Sequence, residues 1–405
     1  MTKENLFTIN NFLKKNINRS LLTNLTKKFN IIFAGVNKDI NDPKKTLNVL
    51  NDEFKFNFKI KDLGKFKKYK KIAIIGMGGS ILGTKAINNF LKGKIEKKIY
   101  FFDNLNPEKI LNFKKKENLK KILFLIISKS GNTVETLSSL FALNIIKKNS
   151  PNIIIISEKK DNQLFNLSRR YNLFHIEHNN FIGGRYSVLS EVGVVPAYLM
   201  DININNLRSG IKKFLKGKKK LFLKNSTIKL TEILNEKKIK NLIFLNYAPE
   251  LEDFLFWCQQ LIAESLGKKN KGLLPTVSNV PKDHHSLMQL YLDGPRDKLF
   301  HIFSIEKKEK EKISTKKILN KNNLLHDKTL GEIKRAQRLA LIKVLKNNKI
   351  PYREFKINNK NEKILGELFS YFILETVIVG RLAKLNPFNQ PAVEQIKSYT
   401  QKLLR

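Results

Sequence analysis

The run Ile122–Ile127 is six apolar residues without a break, which is strand length with nothing to offer to water. Such a strand is buried on both faces, as in a parallel sheet covered by helices on either side. The chemistry then changes abruptly. Ser128, Lys129, Ser130, Gly131, Asn132 and Thr133 put hydroxyls, an ammonium and a permissive glycine into one turn, and Val134, Leu137 and Leu140 follow at helical spacing. A strand, a polar turn and a helix N-terminus together make an anion site, because the first-turn N–H groups lack partners within the helix and the helix dipole favours negative charge. The stretch reads equally well as an ordinary capped turn, so a bound phosphate monoester is one of two readings at this point.

The strand-turn-helix pattern repeats along the chain. Strands are predicted at 72–75, 98–103, Ile122–Ile127 and 153–156, with a glycine-rich turn at 76–83. A second alternation follows, with strands at Asn241–Asn246, 299–304 and Tyr352–Ile357 and a helix at 251–265. A long apolar helix is predicted at 367–385, and beyond Asn386-Pro387 a tail helix starts at Pro391, where proline is tolerated. The fold class is α/β: two doubly wound, mainly parallel α/β/α sandwiches plus a C-terminal helical arm. The expected organisation is an N-terminal helical segment (1–65), a first domain with the phosphate cradle (66–203), a second domain (204–385) and the arm (386–405), with lysine-rich 205–224 as the connection. Ligands of such sheets sit at the carboxyl ends of the strands, where the turns at 76–83 and 128–133 would lie.

At 405 residues the chain can bury a core in about two or three domains. Its net charge of +42 could signal a nucleic-acid or membrane partner. The lysines are scattered in short runs such as 114–116 and 218–220, interleaved with Asn and Ile, and do not form one stripe with aromatics. That distribution favours a solvated surface over a specific nucleic-acid site. The one cysteine, Cys258, lies on the apolar stripe of the helix at 251–265 and excludes an intramolecular disulfide, which suits a reducing cytoplasm. No apolar run reaches the length of a membrane span, and the opening MTKENLFTINNFLKK lacks the apolar core of a signal peptide.

Taken singly, the remaining constellations are open. The turn 76–83 fails as a dinucleotide fingerprint, since Ile81 stands where a third glycine is needed, and as a Walker loop, since Thr84-Lys85 follows Gly83. What remains is backbone able to approach a ligand with Ser80 as donor, or close strand–helix packing. Arg185 behind Gly183 and Gly184 offers fixed donors to an oxyanion, or is a surface arginine on a capped loop. Glu264 sits at the flank of the stripe formed by Leu251, Phe254, Leu255, Cys258, Leu261, Ile262 and Ser265, one turn beyond Gln260. It is a candidate general base if it lines a pocket, or a solvated helix-end carboxylate. His284 and His285 are adjacent and cannot face the same way on a helix, and His175 and His178 lack zinc-helix spacing, so no metal site is expected.

In order along the chain, the blocks GMGGSILG, SKSGNTVET, GGRYSVLSEVG, QQLIAESLGK, DHHSLMQ and FNQPAVEQIK resemble those of the glucose-6-phosphate isomerase family. The resemblance runs from about residue 72 to Lys397. It implies two sugar-isomerase (SIS) domains and an aldose–ketose isomerisation of glucose 6-phosphate and fructose 6-phosphate through a cis-enediol, without metal or cofactor. Ser80, Ser128, Lys129, Ser130 and Thr133 would hold the phosphate, with Gly79 and Gln390 as further substrate contacts. Glu264 would move the proton between C2 and C1, Arg185 would stabilise the enediolate, and His285 and Lys397 would serve ring opening. The histidine comes from a neighbouring subunit in this family, so the resemblance also implies a homodimer with the active site at the interface, in the cytoplasm.

The chain departs from the family pattern at Ala392, where glycine is usual, at Glu191, where a small residue is usual and a charge near Arg185 could result, and at His284 before the aligned His285. Three other readings stand beside the first. One is a bifunctional glucose/mannose phosphate isomerase, which mannose 6-phosphate activity would reveal. The second is a non-catalytic sugar-phosphate sensor, which would bind without turnover. The third is nucleic-acid binding, whose mark would be salt-sensitive affinity.

Overall fold

The computed structural model describes residues 7–12, 19–306, 309–316, 318 and 322–404. Its strands are β1 (Phe7–Phe12), β2 (Lys71–Ile75), β3 (Lys98–Phe102), β4 (Ile122–Ile127) and β5 (Ile153–Ser157). They continue with β6 (Phe174–Glu177), β7 (Asn241–Asn246), β8 (Leu274–Asn279), β9 (Lys298–Ile305) and β10 (Tyr352–Ile357). One sheet has the order β3-β2-β4-β5-β6 and is parallel throughout. The other has the order β1-β10-β9-β7-β8, with only β1 antiparallel. Every residue of β4 and β5 is buried, as expected for strands covered on both faces. Burying each of their apolar side chains, all but Ser157, stabilises the fold by roughly 1.5–3 kcal/mol.

The strand order reverses at β2 and β4 in the first sheet. The helix Leu82–Phe90 after β2 leads out to β3, and the helix Val134–Leu143 after β4 leads the other way, to β5. The turns that follow these two strands therefore share the crevice where doubly wound sheets bind ligands. The second sheet reverses between β7 and β9, and the helix after β7, Glu252–Leu266, lies between the two sheets. It packs against the helix Leu82–Phe90 of the first sheet and against the long helix Glu362–Leu382, where Phe254 meets Phe369 and Phe372 at ring distances of 5.5 and 5.7 Å. Residues of both halves join in one core, while separate clusters fill the outer face of each sheet.

Four expectations need correction. The N-terminal segment is not wholly helical: its alternating Phe7-Thr8-Ile9 forms β1 on the edge of the second sheet, a pairing with β10 that only the fold supplies. The stretch 205–224, expected as the connection, is helical and packed into the fold. It contributes to the helices Ile204–Arg208 and Gly217–Glu236, whose Leu207 and Leu223 are fully buried against the fold among the lysines. Strands β6 and β8 were not anticipated, since one is four residues long and the other, LPTVSN, is half-polar. The long helix runs from Glu362 to Leu382 because Asn361 caps it, accepting from Ile364 N.

One buried group gives the fold a pH dependence. His178 follows β6, is fully enclosed and donates from Nε2 to Ile182 O (3.1 Å). Burial, assisted by the Lys129 charge, pushes its pKa down from 6.5 to about 4. The folded pKa lies below the unfolded one, so the stabilisation is complete above pH 6.5 and is lost as pH falls towards about 4. From pH 7 to 5 this one group is expected to remove about 2 kcal/mol. Urea unfolding at both pH values checks it, and His178→Gln is expected to show a smaller acid loss than wild type.

Candidate active site

The turn 128–133 closes the carboxyl end of β4. Thr133 is the N-cap residue of the helix Val134–Leu143, yet no side chain caps that helix; the Thr133 hydroxyl pairs with Ser128 Oγ at 2.8 Å. The helix N-terminus thus keeps its dipole and its first-turn N–H groups for an anion. Ser130 is exposed and accepts from Asn132 N (3.3 Å). The turn is braced from β5's side: Leu164 N donates to Gly131 O (3.2 Å) and Gln163 N to Asn132 Oδ1 (2.9 Å). Lys129 is half-buried, 3.8 Å from the buried carboxylate of Glu158. Burial holds its pKa below the ordinary lysine value; Glu158 opposes this, and the charges of Lys160 and Arg185 add to it.

The turn Gly78–Ser80 after β2 lies beside this cradle and is wedged against two other elements. A Cβ on Gly79 would sit 2.1 Å from the Gly184 carbonyl carbon and 2.5 Å from Arg185 N, so a side chain there would collide with backbone. Gly78 has φ +50°, and its Cβ would stand 2.8 Å from Gln260 Nε2. Gly79 is required by its close approach to backbone and Gly78 by its positive φ, and the turn brings the carboxyl end of β2 against Gly184-Arg185 and against Gln260 of the helix Glu252–Leu266. Gly79 has at least this packing duty, and Ser80 is half-buried in the same turn.

At that junction Arg185, 2% exposed, spends all its donors. Nε donates to Ser265 Oγ (2.9 Å), and one terminal nitrogen to Glu264 Oε2 (3.0 Å) and Gln390 Oε1 (2.8 Å). The other terminal nitrogen donates to Pro387 O (2.6 Å) and Asn389 O (3.2 Å). Glu264 is held on its second oxygen too, since Gln260 Nε2 donates to Oε1 at 2.9 Å. Its side chain is 29% exposed, so the carboxylate is fixed at both oxygens and still open to a ligand. Lys129 is near enough to Arg185 for their charges to interact, which sets the anion cradle and the Arg185–Glu264 pair in one neighbourhood.

Of the residues singled out in the sequence, Glu264, Arg185 and Gln390 are thus brought into direct contact, and Ser128 and Thr133 into another. His285 and Lys397 join neither group within the chain. His285 is exposed at the end of the short turn Lys282–His285, and Lys397 pairs with Glu394 (2.7 Å) on the arm helix Pro391–Leu403, none of whose residues is buried. Sequence reasoning missed Gln260 as a fastener of Glu264; its signal is the four-residue spacing on one helix face. The Glu191 carboxylate accepts from Asn57 N (3.0 Å) and feels Arg208, not Arg185; burial raises its pKa. His284 is held by Tyr247, hydroxyl to Nε2 at 2.8 Å, and leaves His285 as the free imidazole of the pair.

Comparison with known proteins identifies the family. The family model for phosphoglucose isomerase matches residues 38–405. A probable glucose-6-phosphate isomerase of Methanococcus maripaludis is 31% identical, over 100% of this chain and 95% of that protein. The glucose-6-phosphate isomerase of Methanocaldococcus jannaschii is 34% identical over 85% of this chain and 87% of its own length. The crystal structure of a glucose-6-phosphate isomerase from Chlamydia trachomatis has the same fold, with a TM-score of 0.79 at 17% identity, covering 98% of this chain and 88% of that one. A match to the family model over more than nine-tenths of the sequence, carried by a chain whose two α/β sheets meet at the Arg185–Glu264 pair, shows that this protein belongs to the phosphoglucose isomerase family.

Proposed function

We infer that this enzyme interconverts glucose 6-phosphate and fructose 6-phosphate, and that the observation carrying its mechanism is the Glu264 carboxylate fastened between Gln260 and Arg185 beside an anion cradle. The phosphate is taken by the hydroxyls of Ser80, Ser128, Ser130 and Thr133, the Lys129 ammonium and the free N-terminus of the helix Val134–Leu143. Phosphate contacts are remote from the reacting carbons, and their binding energy goes into holding the sugar in place. The backbone of Gly79 and the amide of Gln390 face the sugar from either side.

With the sugar open, Glu264 removes the C2 proton of the aldose, the C1 carbonyl oxygen gains the charge, and a cis-enediol(ate) forms. The same carboxylic acid returns the proton to C1 while the proton on the C2 oxygen passes to the C1 oxygen, which leaves a C2 ketone and a C1 hydroxyl; the reverse order runs from ketose to aldose. Arg185 is the cation beside the developing oxyanion, and a guanidinium suits the role because it cannot lose its proton. Its other bonds prevent it from moving, so no reorganisation is needed when charge appears. Glu264 carries the carbon-bound proton and the hydroxyl proton moves between the two sugar oxygens, so the isomerisation balances without any change of overall oxidation state.

Ring opening is assigned to His285 and Lys397, with the histidine supplied by a second copy of the chain. Two features support a homodimer: His285 is exposed, and the arm helix carries Val393, Ile396, Tyr399 and Leu403 on its surface. We also place the enzyme in the cytoplasm, where its one cysteine, buried and free, stays reduced. No helix among the described residues is long and apolar enough to cross a membrane.

The shared site has a distinctive test. His285→Ala and Glu264→Gln homodimers are each expected to be nearly inactive with fructose 6-phosphate. Subunits mixed, unfolded and refolded together are expected to regain roughly a quarter of wild-type activity, since half the dimers are mixed and each has one intact site. Recovery absent from the mixture, with dimers formed, would place His285 on the same chain as its Glu264.

A further inference from the structure

Lys268 has no role in the reaction just described, yet it touches the segment on which the site depends. The helix Glu252–Leu266 that carries Gln260, Glu264 and Ser265 ends at Gly267, and the chain turns back through the bridge Lys268↔Lys271. From that turn the Lys268 ammonium donates to Asn386 O, and Lys271 Nζ to Ala383 O (3.1 Å). Residues 383–390 form a strap between the long helix Glu362–Leu382 and the arm helix Pro391–Leu403. Arg185 grips the strap from the other side at Pro387 O, Asn389 O and Gln390, and Tyr186 donates to Pro387 O (2.8 Å) while its ring meets Phe388 at 5.4 Å. Since no residue of the arm helix is buried, the strap is what the arm is seated on within the chain.

We propose that Lys268 is a positioning residue, a clamp that presses the strap 383–390 onto Arg185 and so fixes both the guanidinium at Glu264 and the direction in which the arm leaves towards the site. The inference rests on the reading of Glu264 and Arg185 as catalytic groups, and extends it to a residue that contacts neither. A hydrogen bond from a charged donor to a carbonyl is about twice as strong as a neutral one, so the clamp depends on the ammonium form. The charged groups bearing on Lys268 are Arg185 from the turn Gly184–Leu189 and Glu264 from the helix before it, with Lys271 across the bridge. Burial brings its pKa down to about 8, Arg185 pushes the same way and Glu264 opposes. The clamp therefore loosens as pH rises through about 8.

Two readouts on the full-length protein test this. Hydrogen exchange at the strap amides reads the clamp directly, and kcat against pH with fructose 6-phosphate reads its consequence. Lys268→Met is expected to speed strap exchange about tenfold and to lower kcat about tenfold with KM within about twofold. It also removes the alkaline fall in kcat near pH 8. Lys268→Arg keeps the charge, and is expected to retain protection and kcat while moving the alkaline fall upward by more than about one pH unit. Wild-type exchange and a wild-type pH profile in Lys268→Met would overturn the proposal. If wild type shows no isomerase activity while Lys268→Met still loosens the strap, the reaction assigned above fails and the clamp stands.

Discussion

Glu264→Gln is expected to lower kcat for fructose 6-phosphate by about a thousandfold, roughly 4 kcal/mol of barrier, with KM changed by less than about threefold. The substitution keeps the shape of the side chain and an oxygen for Arg185, so the buried guanidinium retains its neighbours and the fold is expected to keep its melting temperature within a few degrees. What disappears is the one group at the junction that can accept a carbon-bound proton. Gln260 cannot replace it, because an amide does not take up a proton at neutral pH, and Gln260 in any case points its nitrogen at Glu264. A coupled assay of kcat and KM, with a direct binding measurement of fructose 6-phosphate to the variant, separates lost chemistry from lost affinity.

Arg185→Lys is expected to have the second largest effect, and a different one. A lysine keeps the charge but has no fork, so it cannot serve Ser265, Glu264, Gln390, Pro387 O and Asn389 O together. Two of the acceptors left behind, Ser265 Oγ and Pro387 O, are buried, and leaving buried polar groups unpaired is expected to cost roughly 2–4 kcal/mol of stability. Loss of the fixed oxyanion partner is expected to lower kcat about 10²–10³-fold. Because three of the five contacts run to the strap, limited proteolysis is expected to release the arm from Arg185→Lys sooner than from wild type. Glu264→Gln, which leaves those bonds intact, is expected to protect the arm as wild type does, and this contrast separates the two roles of the arginine.

Much of the frame was legible along the chain. The apolar run at β4 and the change at Ser128 mark a strand and its turn because burial on both faces leaves a direct trace in composition. Contact across the chain leaves no such trace. Arg185 and Glu264 are 79 residues apart and Arg185 and Gln390 are 205 apart, so their meeting depends on the packing of the helix Glu252–Leu266 between two sheets. The glycines at 78 and 79 read in the sequence either as backbone open to a ligand or as close strand–helix packing, and the structure shows the close packing, at the place where three elements touch. β1 escaped notice because an edge strand of six residues has its partner, β10, more than 300 positions away. The helices within the lysine-rich stretch at 205–224 were hidden because composition averages over a helix whose buried stripe is narrow. His285 and Lys397 have the least local support in the folded chain, which for His285 is what the proposed sharing of the site with a second copy would produce.

The measurement that bears most directly on the isomerase mechanism is the fate of deuterium carried at C2 of glucose 6-phosphate in ordinary water. Wild type is expected to form fructose 6-phosphate in which part of the label has moved to C1 and part has been lost to solvent, because the deuteron rests on Glu264 between the two carbons; Glu264→Gln is expected to do neither. Fructose 6-phosphate that keeps all its label at C1 through prolonged turnover would contradict proton transfer by a carboxylate, and no fructose 6-phosphate at all would contradict the reaction itself.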